Sequence, residues 1–229
     1  MRSATRRVVD ELHGVADASR TPGMARVGIR VDRALGVSIP ECRRIAKTYR
    51  FDHALALDLW TTGIHEARIM ASMIDDPADV TPAQMDAWAA DFDSWDVCDQ
   101  VCSNLFGPSM HAFPAARAWT RRDEEFVKRA GFTLVAERAV RDREHDDTFW
   151  IGWLPVIRAG ALDDRNYVKK AVNWALRQIG KRNEALNAAA IAEGEALLEL
   201  GSASARWIAR DALRELRSGA VQARLRSRR

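Results

Sequence analysis

Aromatic and charged side chains recur at helical spacing in the segment Tyr167–Asn183. An apolar stripe in this segment predicts a helix that buries one face. Trp174 lies away from that stripe, in a row with three cations, Lys170, Arg177 and Lys181. A large ring between cations suits a polyanion that also offers a flat surface, and nucleic acid is the commonest such partner. A tryptophan packed on a neighbouring helix, beside solvated cations, is the alternative interpretation.

A second segment predicts an aromatic residue and a carboxylate on one helix face. Trp95 and Asp99 are four residues apart, whereas Val97, Val101 and Leu105 form the apolar stripe of the same helix. A fixed carboxylate beside an aromatic ring can stabilise positive charge that develops in a substrate. A surface or capping carboxylate and a core tryptophan are the alternatives.

A third segment places a cation on the outward face of its predicted helix. Val127 and Leu134 belong to the apolar stripe, and Arg129 lies opposite it. Lys128 would take this place after a small change in helix phase. Because the equivalent repeat position is occupied by Lys170, a generic solvated cation is the alternative interpretation.

Charge is distributed unevenly along the 229 residues, although the net charge is only +3. Asp75–Asp99 contains eight aspartates and no Lys or Arg, whereas Asp164–Asn183 contains six Lys or Arg and one Asp. This pattern predicts a basic part that meets phosphates and an acidic segment that faces elsewhere.

Several classes of protein are disfavoured by the sequence. The three cysteines, Cys42, Cys98 and Cys102, lack the paired spacing of a zinc site or a disulfide framework. His65 and Glu66 resemble the start of a zinc protease motif, but Ile69 stands where a second histidine is needed. No apolar run suits a membrane span, and the first residues lack a secretion signal, which predicts a cytoplasmic protein. No metal or organic cofactor is expected.

Helix signals dominate, with a break at Thr21-Pro22-Gly23 and an arginine-rich, frayed tail over Gln222–Arg229. The predicted helices span Thr5–Ala18, Glu41–Tyr49, Asp52–Thr62, Ile64–Ile74, Thr81–Ala90, Trp95–Phe106, Met110–Trp119, Asp123–Arg141, Asp146–Ala159, Asp164–Lys181, Asn183–Leu200 and Ser202–Arg217.

An internal repeat organises these helices. The segment that begins at Asp123 aligns with the segment that begins at Asp164, and another amphipathic helix begins near Trp207. Periods of about 40 residues with two helices each are typical of HEAT-type α-solenoids. We therefore predict an all-α fold, an α-solenoid of HEAT-like antiparallel helix pairs with a concave basic groove. Residues 1–229 are predicted to form a single domain, in which residues 1–23 are an N-terminal helix and linker.

Three motifs in this order resemble a known family. WDVCDQVC (Trp95–Cys102), FVKRAGF (Phe126–Phe132) and the Tyr167–Asn183 segment look like those of the DNA alkylation repair enzymes, the AlkD-like, HEAT-like-repeat DNA glycosylases. The likeness extends from about Ile29 to Leu216, and its most specific part is the helix that carries Trp174.

The resemblance implies a reaction and a set of roles. N3- or N7-alkylated purines already carry positive charge, so the enzyme has to stabilise an oxocarbenium-like sugar as the base departs. By resemblance, Asp99 is the carboxylate, Trp95 and Trp174 contact the deoxyribose, and Arg129 contacts a phosphate. The lesion would be recognised without base flipping. The DNA backbone would be held by six cations: Lys128, Lys169, Lys170, Arg177, Lys181 and Arg182.

The predicted partner is therefore double-stranded DNA that carries alkylated bases, bound by a monomer that does not associate with a membrane. A non-catalytic HEAT-like module that binds DNA or a protein through the same groove is the alternative, since solenoids are often interaction platforms.

Overall fold

The computed structural model describes residues 3–227, and all regular secondary structure in that range is helical. Short 3₁₀ turns occupy Ala18–Arg20 and Lys47–Tyr49, and a π-helical turn occupies Cys102–Phe106. The α-helices are α1 (Ser3–Gly14), α2 (Thr21–Arg26), α3 (Ile39–Ala46), α4 (His53–Thr61), α5 (His65–Ile74), α6 (Pro82–Ala90), α7 (Trp95–Val101), α8 (Ala112–Trp119), α9 (Glu125–Arg141), α10 (Asp147–Ile151), α11 (Leu154–Gly160), α12 (Asn166–Gly180), α13 (Glu184–Leu198), α14 (Ala203–Leu216) and α15 (Gly219–Arg226).

Local sequence explains where many of these helices begin. In seven of them a side-chain oxygen just before the helix accepts a hydrogen bond from the backbone N–H three residues later, which satisfies a donor that the helix itself leaves unpaired. The capping residues are Ser38, Asp52, Thr81, Asp146, Asn183, Ser202 and Ser218. Proline stands in the first turn of α2, α3, α6 and α11, where its missing N–H costs nothing.

Three helix predictions differ from the structure. Thr21-Pro22-Gly23 begins α2 instead of breaking the chain, because Pro22 lies in the first turn of that helix. The helix predicted over Asp146–Ala159 is two helices, α10 and α11, with Gly152 after the first and Pro155 opening the second. The predicted frayed tail is largely α15, which buries Val221 and Leu225; Arg228 and Arg229 lie outside the described residues.

The chain divides into two compact units, Met1–Ala112 and Phe113–Arg229. In the first unit α5 is the central helix, since it packs against α3, α4 and α7 and most of its residues are buried. The guanidinium of Arg68 in α5 lies 5.2 Å from the ring centroid of Trp60, which in turn stacks on Trp88 with centroids 4.1 Å apart. This unit therefore holds α7, and with it Trp95 and Asp99, against α5.

In the second unit α12 is central and packs against α9, α11, α13 and α14. The predicted repeat is visible in its contact with α9. Phe126 and Tyr167 occupy equivalent repeat positions, and their ring centroids lie 5.4 Å apart. Val127 and Val168, the next residues of each repeat, are both buried. Equivalent helices of neighbouring repeats thus lie side by side. No helix among residues 3–227 combines the length and apolar character needed to cross a membrane.

Candidate functional site

The helix α7 presents Trp95 and Asp99 as expected from its periodicity. Val97, Val101 and Leu105 are buried, whereas Trp95 and Asp99 are both half-buried. The indole N–H of Trp95 donates to the backbone carbonyl of Val27 at 3.1 Å. That bond ties the ring of Trp95 to the backbone at the end of α2.

Buried polar contacts hold the first turn of α7 in place. The Oδ2 atom of Asp96 lies 2.8 Å from Nε2 of His65, and the hydroxyl of Ser94 donates to Oδ1 of Asp96 at 2.8 Å. Burial opposes ionisation of both partners of the His65–Asp96 pair, but their hydrogen bond and opposite charges outweigh it. The pKa of His65 is therefore raised and the pKa of Asp96 is lowered. Asp96 thus helps to hold the start of α7 in place, one turn before the half-buried Asp99.

The predicted outward orientation of Arg129 is wrong. Only 6% of Arg129 is exposed, and its Nη1 donates to the backbone carbonyl of Tyr167 at 2.7 Å. The residue bridges α9 to α12, because the neighbouring repeat covers the helix face that periodicity alone predicts to be open. Lys128, the alternative to Arg129, is half-buried, and its ammonium group lies 3.0 Å from Oδ2 of Asp163. Their roles at a phosphate stay predictions.

Trp174 lies at the partly open edge of α12. The residues of its apolar stripe, Val168, Val172, Ala175 and Ile179, are all buried, whereas Trp174 is half-buried. Next to it, the amide of Asn173 donates to Asp211 at 2.7 Å and ties α12 to α14. The ring is therefore accessible on a helix that its neighbours hold rigidly.

The cations that flank Trp174 are largely neutralised within the unit. Arg177 is paired with Glu215 and lies 3.6 Å from Asp211, and the Lys181 ammonium group donates to Glu215 at 2.6 Å. Burial alone would raise the pKa of Glu215, but the hydrogen bond from Lys181 and the charge of Arg177 hold it below its ordinary value. In contrast, Lys170 is exposed and has no acidic partner among the described residues. The predicted basic row thus contains one free cation and two paired ones.

The remaining predicted DNA-binding residues also have structural contacts. Arg182 donates to the carbonyls of Ala139 and Asp142 at the end of α9, and its guanidinium lies 4.5 Å from the ring centroid of Trp150. Lys169 approaches the ring of Trp207, with its Nζ 5.2 Å from the centroid. DNA contacts by these side chains remain predictions.

One group of side chains in the second unit has the composition of a metal site. Ligand atoms of Asp142, Glu144 and His145 lie within 4.8 Å of one another. However, the Asp142 carboxylate also lies 3.2 Å from Arg138 and 3.7 Å from Arg182. Two guanidinium groups oppose the binding of a cation, so the arrangement fits an ion-pair cluster better than a metal centre.

The structure also brings together basic residues that the sequence did not indicate as a binding site. Arg43, Lys47 and Arg50 line a concavity of about 300 Å³ in the first unit, together with Ala46, Met73 and Asn104. The three cations follow one another at spacings of four and three, which is the pattern of one helix face. This spacing is the only indication of the cluster in the sequence, because the three cations lie outside the three motifs that contain the aromatic residues.

The proposed catalytic set is divided between the two units. Trp95 and Asp99 lie in the first, and Arg129 and Trp174 lie in the second on the packed helices α9 and α12. Their convergence on a single groove stays a prediction.

Comparison with solved structures places the fold among the HEAT-like repeat proteins. One such structure, described as "a new family of proteins related to the HEAT-like repeat DNA glycosylases with affinity for branched DNA structures", superimposes with a TM-score of 0.82. The match covers 96% of this chain and 95% of the other, at 17% sequence identity. The predicted all-α, HEAT-like fold is therefore confirmed. A comparison with curated proteins found no match.

The sequence identifies the family more directly. Residues 8–216 match the family described as DNA alkylation repair enzyme, so the chain belongs to that family. The matched range includes Trp95, Asp99, Arg129 and Trp174. The family resemblance drawn from the three motifs is confirmed.

Proposed function

We propose that the protein is a DNA glycosylase that excises cationic N3- or N7-alkylated purines from double-stranded DNA and leaves an abasic site. Asp99 carries this proposal: within the matched family range it is a half-buried carboxylate on a rigid helix, one turn from the anchored ring of Trp95.

The proposed reaction needs no protonation of the leaving base. An alkylated purine with a positive charge is already a good leaving group, so the barrier depends on the sugar, which acquires oxocarbenium character. The carboxylate of Asp99 stabilises that charge and orients the attacking water. The rings of Trp95 and Trp174 attract the positively polarised edge of the deoxyribose. The base is expected to leave without being flipped into a pocket.

The test is release of free base from methylated duplex DNA by the purified protein, measured by chromatography. Asp99→Asn keeps the shape of the side chain but removes its charge, and we expect it to lower the rate by roughly 100-fold or more. Asp93→Asn is the matched control, because it removes one negative charge from the same unit, at a side chain that is 36% exposed. Release by Asp99→Asn at the wild-type rate would remove this residue from the mechanism.

A second candidate is a HEAT-like module that binds DNA or a protein without catalysis. The solved structure with the same fold is described as having affinity for branched DNA, and ion pairs within this chain already engage several of the predicted phosphate contacts. DNA binding without base release by the wild-type protein, on a substrate from which a control glycosylase releases base, would favour this candidate.

A further inference from the structure

The cations Arg43, Lys47 and Arg50, called here the basic pocket, form an anion-binding surface with no acid among its lining residues. All three are exposed, and none forms an ion pair with any other residue among 3–227. Arg44, which lies beside Arg43 on α3, instead donates to Glu41 at 2.9 Å through its Nε. The basic pocket thus contrasts with the row beside Trp174, where most cations form ion pairs with acidic side chains.

Another concavity of the first unit, by contrast, contains charges of both signs. It has a volume of about 320 Å³ and is lined by arginines and by acids. There the Nε of Arg30 lies 2.9 Å from Asp32, and its Nη1 lies 3.7 Å from Asp93. Aspartates oppose arginines in that concavity, whereas no acid lines the basic pocket, so the charge of the basic pocket is available to a ligand.

Phe51 lies beside the basic pocket in a conformation that its side chain does not favour. Its φ is +66°, and it is the single residue other than glycine with positive φ among the described residues. The backbone is held there by a hydrogen bond from the Phe51 N–H to the carbonyl of Ile74 at 2.6 Å. A bulky side chain in this region is strained, and glycine or asparagine would be the usual choice.

Packing does not explain the presence of a phenylalanine at this position. Phe51 is 62% exposed, so it contributes little to the core. Its ring is linked to the pocket through Arg50, whose guanidinium carbon lies 5.2 Å from the ring centroid. A strained backbone, an open ring and a cluster of unpaired cations therefore occur together. Strain of this kind tends to persist where a ligand is bound.

We propose that the basic pocket binds backbone phosphates of DNA and that Phe51 stacks on an unpaired base next to them. Phosphates match the cations, and every nucleobase has a face on which an aromatic side chain can stack. Bases inside a duplex are already stacked, so the ring selects DNA with a single-stranded end or a branch. This proposal rests on the DNA binding of the proposed function but not on catalysis.

The stacking half is tested by fluorescence anisotropy with three labelled DNAs: a blunt duplex, the same duplex with a short overhang, and the same duplex with an overhang made of abasic sites. The abasic overhang keeps the phosphates and removes the bases. Wild-type protein is expected to bind the overhang with bases more tightly than the abasic one by roughly tenfold. Phe51→Ala is expected to abolish that difference, and Phe51→Trp is expected to keep it.

The phosphate half is tested with Arg43→Gln and Lys47→Gln. Each is expected to weaken binding of all three DNAs by the same factor and to reduce the slope of log affinity against log salt by about one. Arg44→Gln is the matched control, because it removes the same charge from a neighbouring residue that is already paired. Thermal unfolding checks that each variant is folded, and Phe51→Gly is expected to melt higher than wild type because it relieves the strain.

The proposal is overturned if wild type does not distinguish the two overhangs, if Phe51→Ala distinguishes them as wild type does, if Arg43→Gln and Lys47→Gln match Arg44→Gln, or if the protein binds no DNA. Its failure is distinguishable from failure of the proposed catalysis. Base release with no overhang preference would contradict only the present proposal. An overhang preference that depends on Phe51, without base release, would contradict only the proposed catalysis.

Discussion

Replacing Glu215 by glutamine tests whether the cations beside Trp174 meet DNA. Glu215 holds both Arg177 and Lys181, and neither cation is sealed from solvent, since 27% and 15% of their side chains are exposed. Glu215→Gln keeps the size of the side chain and removes its charge. The substitution releases Lys181 for a phosphate backbone and leaves Arg177 with only the longer 3.6 Å contact to Asp211. On the proposed function, the substitution strengthens DNA binding although it removes a stabilising contact.

The magnitude follows from counterion release. Each cation that newly meets a phosphate steepens the slope of log affinity against log salt by about 0.9, so one or two freed cations give roughly 3- to 12-fold greater sensitivity to a fourfold change in salt. The same substitution should lower the free energy of unfolding by about 1–2 kcal/mol, because two charge-assisted hydrogen bonds at a half-exposed site are weakened.

The assay is fluorescence anisotropy on one duplex over a salt series, with chemical denaturation to measure stability. Glu195→Gln is the matched control: it removes the same charge in the same unit, where Glu195 pairs with Arg217 at the surface. Equal salt slopes for Glu215→Gln and Glu195→Gln would refute the reasoning and place Arg177 and Lys181 off the DNA surface.

Two further predictions concern stability. Gly160→Ala would place a Cβ atom 2.3 Å from Cζ of the buried Phe132 ring, so we expect chemical denaturation to show a free energy of unfolding lower by about 1–3 kcal/mol. Gly23→Ala is the control, because the space around Gly23 is open and no loss of stability is expected. Equal effects of the two substitutions would contradict the packing argument. The pKa of His65 is raised above 6.5 in the folded protein, so its contribution to stability is fully present below pH 6.5 and is lost as pH rises through the raised pKa. His65→Gln should therefore lower the free energy of unfolding more at pH 6 than at pH 8, and a pH-independent difference in urea denaturation would count against this assignment.

Much of the architecture is local in origin and was predicted from the sequence. Helix periodicity placed Val97 and Val101 in the core and left Trp95 and Asp99 half-buried, and capping residues marked where many helices begin. Three short motifs, each contiguous in the sequence, indicated the family that the match over residues 8–216 confirms. Boundaries at Thr21 and Gly152 were less predictable, since glycine and proline can either start or break a helix.

The tertiary structure decided which exposed faces remain open. Arg129, Asn173 and Arg177 each contact a residue 38 positions further along the chain, on the equivalent helix of the next repeat. Helical spacing shows which side of α12 carries charge, but it does not show that Glu215 neutralises that side or that Tyr167 covers Arg129. The strained backbone of Phe51 likewise depends on a hydrogen bond to Ile74, the last residue of α5. The sequence by itself determined the helices and the family. Contacts between repeats determined which charges are free, because Coulombic pairing and burial depend on neighbours in space rather than along the chain.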